Sequence, residues 1–316
     1  MGDPWEYYDF DDLHCGHGLH QDTLLGNCDA VAEATLSALW CIMLPIFKRG
    51  LLRKKQQKMI KVYFFLAFVY IRFYQPVDTF DRWLHWGRDK KSVKKPTFYN
   101  NIIPIIYLCA EHLDEIRWDD RLAFGNHHEL ADDFITFICD GFPQLVWNPV
   151  DPLMWSLLFV PDKYAAVVYK LHIAIDLVGN VVHFCGLHLG TTPDSLIWEN
   201  TAASHPTERN EFGLGDLAYK GCDDIVTNFV ALAQYGPITA LEDAYNKRMN
   251  KVRARVEHAV AEHVEGKQMF QGTYRGEPAL LEACHLLYAH ANRRARKFTG
   301  PKYPAPSAKY GPHPIY

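Results

Sequence analysis

The sequence predicts an α+β fold in which an all-helical stretch comes first and a strand-rich region closed by a long helix follows. Three observations carry this reading. Lys61 to Tyr74 is apolar nearly all round, as in a buried helix. After Asp133 the texture changes to short runs rich in β-branched and aromatic residues. Tyr245 to Val264 then runs without Pro or Gly, as a helix does.

Taken in order, the first ~30 residues place Gly16, Gly18 and Gly26 among His and Asp and predict a flexible acidic arm over 1–30. His14, Cys15, His17, His20 and Cys28 lie in this arm, but their spacing matches no standard zinc finger. A helical domain is expected over 31–125. Within it, Gln75-Pro76-Val77-Asp78 gives a turn, Thr79 to Trp86 a short amphipathic helix and Gly87 to Pro96 a basic loop. Thr97 to Leu113 resumes as a helix with a kink at Pro104. Helix, turn, short helix, basic loop and helix is compatible with a helix-turn-helix and also with any small bundle.

Beyond it, Phe134 to Asp140 reads as a strand. Ala165 to Asp176 and Val181 to His188 flank Leu177-Val178-Gly179-Asn180 and predict a hairpin. Phe212 to Tyr219 is a fourth candidate strand. The domain they form with the long helix is expected over 130–295, followed by a basic, Pro-rich tail over 296–316.

Composition narrows the function. With 48% apolar residues the chain supplies a core of its own. The eight cysteines are scattered without a CxxC pair, which points to buried thiols in a reducing compartment. The acidic N-terminus lacks the basic and apolar regions of a secretory signal. Apolar stretches such as Ala32 to Phe47 fall short of a membrane span. Net charge is −4 but unevenly spread. Residues 46–96 hold 14 Lys/Arg against 3 Asp/Glu, residues 245–316 hold 13 against 5, and the remainder is strongly acidic. This distribution suits a polyanion held by basic parts and metal ions held by acidic ones.

Four acids stand at strand ends or on the helix: Asp140, Asp194, Asp216 and Glu257. Asp140 ends an apolar strand beside Gly141; Asp194 follows a Gly-Thr-Thr-Pro turn; Asp216 sits among small residues; Glu257 follows Arg253 by four positions. Carboxylates gathered from separate segments repel one another, and a hard, oxygen-seeking cation relieves that repulsion. Two such ions ~4 Å apart activate a water and steady the leaving oxygen of a phosphodiester.

The ordered motifs resemble the nuclease domain of the PIF/Harbinger transposases, relatives of the bacterial insertion-sequence transposases with an Asp-Asp-Glu site. Asp140-Gly141 with Pro149 resembles the opening D-G-T-x6-P strand, and Lys163-Tyr164 and Lys170 match basic positions before the next strand. Asp176-x2-Gly179 and Gly190-x3-Asp194-Ser195 resemble the D-x2-G and H-D-S segments. Asp216-Leu217-Ala218-Tyr219 resembles D-x-G/A-Y, and Asn246-x6-Arg253-x3-Glu257 the closing N-x6-R-x3-E helix. Leu286 to Arg293 is similar to the C-terminal helix of that domain. Phe142, Pro193 and Val264 depart from the pattern, standing where Thr, His and Lys are usual. The last departure removes a DNA contact unless Lys267 supplies it.

The resemblance implies an RNase H-like mixed sheet and a metal-dependent endonuclease that cuts DNA at element ends and joins strands. It implies Mg²⁺ or Mn²⁺, two ions, held by Asp140, Asp194, Asp216 and Glu257. DNA contacts are expected from Lys90, Lys91, Lys94, Lys95, Lys170, Arg248, Arg253 and Arg255. Expected partners are double-stranded DNA at element ends and target, a separate Myb-like DNA-binding protein and a second copy of the chain, with no membrane; the expected compartment is the nucleus in a eukaryotic host and otherwise the cell interior. The alternative reading is a domesticated or decayed copy that binds DNA or protein without cutting. Asp194 and Asp216 both compete for second place in the triad, and convergence of all four carboxylates within roughly 8–10 Å is the expectation.

Overall fold

The structure is a computed structural model and describes residues 29–47, 60–74, 76, 85–86, 91–92, 95–123, 128–201, 206–208, 210–231 and 236–299. In chain order the principal elements are helices α1 (Asp29–Ile46) and α2 (Ile60–Phe73), strands β1 (His85–Trp86) and β2 (Lys91–Ser92), and helix α3 (Ile103–His112). Strand β3 (Ile135–Leu145), helix α4 (Pro152–Leu158), and strands β4 (Phe159–Val160), β5 (Ala166–Asp176) and β6 (Val181–Leu189) follow. Helix α5 (Asp194–Thr201), strands β7 (Phe212–Leu214) and β8 (Ile225–Val226), and helices α6 (Ala240–Val264) and α7 (Pro278–Thr299) complete the set. They form two compact units, residues 1–115 with 264–298 and residues 116–263 with 299–316. The arm with its His and Cys residues and the tail beyond Thr299 lie outside the described residues. Among those described, no helix is long and apolar enough to cross a membrane.

The first unit is helical. Leu36, Leu39, Trp40 and Met43 recur at spacings of three and four on α1 and are buried there. Helix α2 is buried on almost every side, as its unbroken apolarity predicts, with Phe64 against Trp40 and Phe68 against Tyr288 of α7 at ring distances of 5.8 and 5.7 Å. The expected kink at Pro104 takes the form of a π-helical turn over Phe98–Ile102 that passes into α3 with Pro104 in its first turn. Proline lacks the N–H that would continue the α-helical ladder, and the wider turn absorbs the mismatch. Of the short helix expected at Thr79 to Trp86, residues 79–84 lie outside the described residues. His85–Trp86 instead pair antiparallel with Lys91–Ser92, so the end of that stretch is a strand.

The second unit is α+β. Consecutive antiparallel strands β6, β5 and β3 continue through β3 into the parallel strands β7 and β8, giving a mixed sheet in the order β6-β5-β3-β7-β8, with β4 extending β5 at Val167. The β5–β6 hairpin turns where predicted. Asp176 accepts from the N–H groups of Val178 and Asn180, and Gly179 takes φ 92°, which costs a glycine little. Strand β3 runs farther than Phe134 to Asp140, through Pro143 to Leu145. Pro143 is tolerated because β7 pairs only with Ile135–Ile138, leaving the far half of β3 bonded on one side, to β5. The candidate strand Phe212 to Tyr219 is correct only over Phe212–Leu214, since Asp216 caps a 3-10 turn over Leu217–Tyr219 by accepting from Ala218 N.

Alternation along β3 splits the sheet into two buried faces. Phe137 and Cys139 pack with Trp118, Trp198 and Tyr219, and the Phe137 ring stacks on Trp198 at 5.2 Å. Ile138, Asp140 and Phe142 point the other way, where Phe142 meets His263 of α6. Helix α6 buries Met249, Val252, Val256, Ala259 and His263, a stripe repeating every three or four residues. Its N-terminus is set by a capping box, with Thr239 N donating to the Glu242 carboxylate at 2.6 Å and Glu242 N to Thr239 Oγ1 at 3.2 Å. A buried pair fastens the start of the sheet: Arg121 grips Glu211 with Nε and Nη2 at 2.5 and 2.7 Å, and Thr136 Oγ1 donates to the same carboxylate. The Arg121 guanidinium also lies 4.2 Å from the Trp118 ring centroid.

Candidate active site

The parallel register explains how two acids meet. Ile138 of β3 pairs with Leu214 of β7, so Asp140 and Asp216 each lie two residues beyond a shared pairing position on neighbouring strands. A step of two restores the same face, and adjacent strands lie about 4.8 Å apart. Both carboxylates are therefore delivered to one end of the β3–β7 pair, where β7 ends and β3 continues bonded to β5 only. The electrostatics agree. Burial, and next the charge of Asp216, push the Asp140 carboxyl up to about 6, with Asp194 adding to the rise; the Gly141 N–H and Arg253 oppose it. The Gly141 N–H donates to Asp140 Oδ1 at 2.8 Å.

Asp194 opens α5 and is buried at 3% exposure. Its Oδ1 accepts from Lys170 Nζ at 3.0 Å, and its Oδ2 lies 4.0 Å from Lys163 Nζ. Lys170 is itself buried and also donates to Thr192 O at 2.8 Å. Glu257 projects from α6 with 54% of its side chain exposed and pairs with Arg253 at 3.2 Å. Arg253 is thus the link between this acid and Asp140, on which its charge also acts. Among the described residues, no three His, Cys, Asp or Glu side chains are grouped so as to hold one ion.

The expected DNA contacts divide. Lys90 and Lys94 lie outside the described residues, Lys91 is in β2, and Lys95 begins the helical turn before Phe98 and is exposed. Arg248 pairs with Asp132 at 2.8 Å and lies over the Tyr245 ring, and Arg255 donates to Leu177 O. Lys247 and Lys251 are the exposed cations on the same helix. Lys267 is buried with its ammonium 5.3 Å from the Tyr288 ring centroid.

Sequence reasoning did not single out Lys163 and Tyr164 as site residues, yet both border the acids. Burial lowers the affinity of Lys163 for its proton, but its hydrogen bond to Tyr164 and the charges of Asp194 and Asp216 outweigh this and raise its pKa. Burial raises the pKa of the Tyr164 phenol against the opposing pull of Lys163, and the charges of Asp194 and Asp140 add to the rise. Only their position in the motif before β5 could have drawn attention to them.

Residues 149–285 match the DDE superfamily endonuclease family. The matched DDE segment starts after Asp140 and takes in Lys163, Lys170, Asp194, Asp216 and Glu257. No curated protein and no solved structure matches the chain.

Proposed function

We propose that this chain is a transposase-type endonuclease of the PIF/Harbinger kind, with an RNase H-like nuclease domain that cuts DNA phosphodiester bonds at element ends. The observation that carries this is the placement of Asp140 and Asp216 two residues beyond the last β3–β7 pairing position of a mixed sheet, with Arg253, which pairs with Glu257 on α6, acting on Asp140. The strand order, with the acid-bearing strand central and its parallel neighbour ending two residues before the second acid, supports the RNase H-like reading.

Whether the residues suit a divalent metal is tested by the charge state of Asp140. Asp140, whose carboxyl is pushed up to about 6 by burial first and by the charge of Asp216 next, is short of compensating positive charge, and its oxygens are the hard donors that Mg²⁺ or Mn²⁺ takes. Asp140, Asp216 and Glu257 would hold the ions, Glu257 after leaving Arg253. When bound, such ions neutralise phosphoryl oxygens and make water a better nucleophile. The chain's own contribution is to fix Asp140 on β3 and Asp216 on the turn that leaves the neighbouring β7, and to exclude water from the far face with Phe137 and Trp198. Lys163, Lys247 and Lys251 are exposed cations of the same unit that could meet a DNA backbone, Lys247 after leaving Asp243. Double-stranded DNA is the substrate, and a Myb-like protein and a second copy of the chain are the proposed partners, in the nucleus.

A plasmid cleavage assay with Mg²⁺, Mn²⁺ and an EDTA control tests the proposal. Wild type is expected to nick or cut only with metal, and Asp140→Ala and Glu257→Ala to lose cutting by at least ~100-fold while DNA binding persists, since phosphate affinity resides in Lys and Arg. Cutting by either variant at the wild-type rate would refute the site. The engagement of Glu257 by Arg253 favours one second reading, a copy that binds DNA without cutting. Wild type that binds DNA but stays inert with both metals selects it.

A further inference from the structure

The most enclosed charge beside the site is Asp194, whose carboxylate is held from several sides. Lys170 Nζ donates to its Oδ1 at 3.0 Å and to Thr192 O at 2.8 Å, so one ammonium ties the carboxylate to the turn that leads into α5. Lys170 stands on β5 opposite Pro143, two residues beyond Gly141 of β3. A Cβ at position 141 would lie 2.8 Å from Asp194 Oδ1, so this carboxylate rests on the backbone next to Asp140. Lys163 approaches its other oxygen at 4.0 Å.

Two physical facts weigh against a ligand role. The negative charge of Asp194 is already balanced by Lys170, whose side chain is 10% exposed, and a dication placed against the same oxygens would face that ammonium at short range and low dielectric. Moving Lys170 away would strand its charge in the protein interior. Resting on the reading of the site as a metal-dependent nuclease, we propose that Asp194 is a positioning residue. Its carboxylate, locked by Lys170, props the Asp140–Gly141 segment of β3 and stays outside the metal shell.

The test is a double-variant cycle on the full chain, read by the melting temperature of the metal-free protein and by Mn²⁺ binding in electron paramagnetic resonance. Asp194→Asn and Lys170→Met each leave half of a buried pair and are expected to lower Tm by roughly 5–10 °C. Asp194→Asn should also weaken Mn²⁺ binding by roughly 10–100-fold, the usual effect of losing a group that orients a ligand. Combining the two removes both charges, so Tm recovers and Mn²⁺ affinity returns to within about threefold of wild type. A purely additive Tm loss, or Mn²⁺ affinity that stays low in the double variant, overturns the proposal, because a lost ligand is not restored by removing a lysine. Gly141→Ala is a second variant that keeps every carboxylate. It should weaken Mn²⁺ binding at least ~10-fold by pushing against Asp194, and unchanged affinity would overturn the coupling. If wild type binds no Mn²⁺, the nuclease reading fails, while the Tm cycle still decides whether the two charges act as a pair.

Discussion

Asp140 is where the demands of the site oppose those of stability. Its carboxyl ordinarily titrates near 3.8, and here burial and Asp216 push it up to about 6. A carboxyl raised on folding binds its proton more tightly in the native state. Its contribution to stability is therefore fully present below pH ~4 and is lost as pH rises through ~6, at a cost of about 3 kcal/mol at pH 7. Asp140→Asn abolishes the charge while keeping the shape. The variant is expected to melt several degrees above wild type at pH 7.5 and to show no advantage at pH 4. Thermal melts across that range check it, and equal melting temperatures at pH 7.5 would place Asp140 in a less strained setting. The same two-fold character explains what was legible. Asp140 stands out in the sequence because it ends an apolar run beside a glycine. Lys170, 24 residues upstream of Asp194, stands out as a basic motif position and is expected to contact DNA, but nothing local ties it to Asp194, since that contact exists only once β5 and the turn before α5 come together.

Strands and helices differ in how openly the sequence declared them. Strands β5 and β6 were readable because long β-branched runs flank a Gly-Asn turn, and α6 because nothing in it interrupts a helix. The sequence overstates β7 and understates β3 for one reason. Gly213, Gly215, Gly141 and Pro143 have no fixed meaning until the neighbouring strand is known. Gly213 illustrates the point, since a Cβ there would overlap the Phe137 ring from the adjacent strand. Gly213→Ala is expected to destabilise the protein by about 1–3 kcal/mol, as overpacking of a filled core does. Because β7 delivers Asp216, the variant should also lose cleavage more steeply than its stability loss explains. Chemical denaturation alongside the plasmid assay separates these effects, and a variant of wild-type stability would mean that Phe137 readily swings aside.

At the scale of the molecule, charge is segregated. Residues 46–96 are strongly basic while the sheet region carries the acids. Neutralising Lys90, Lys91, Lys94 and Lys95 together is expected to weaken DNA binding irrespective of sequence. It should also flatten the dependence of log affinity on log salt by up to roughly four units, about 0.9 for each phosphate no longer neutralised. An unchanged slope would assign these lysines to solvent. Binding titrations at several salt concentrations measure it.

The strand order also imposes a sequence of events in time. Strands β3, β5 and β6 are successive in the sheet and adjacent in the chain, apart from the short α4–β4 insertion, and can form a meander as soon as residue 189 is free. Strand β7, which must lie against β3 on its other side, arrives about 70 residues after it, and closing that longer loop is slower. Asp140 therefore spends the early life of the folding chain without Asp216 beside it and meets the repulsion only when β7 docks. Pulse-labelled hydrogen exchange should find amides of 137–145 and 168–176 protected before those of 213–226, and simultaneous protection would show that the sheet assembles in one step. Raising the pH from 5 to 8 charges Asp140 late on this route, so it should speed unfolding while leaving formation of the meander nearly untouched.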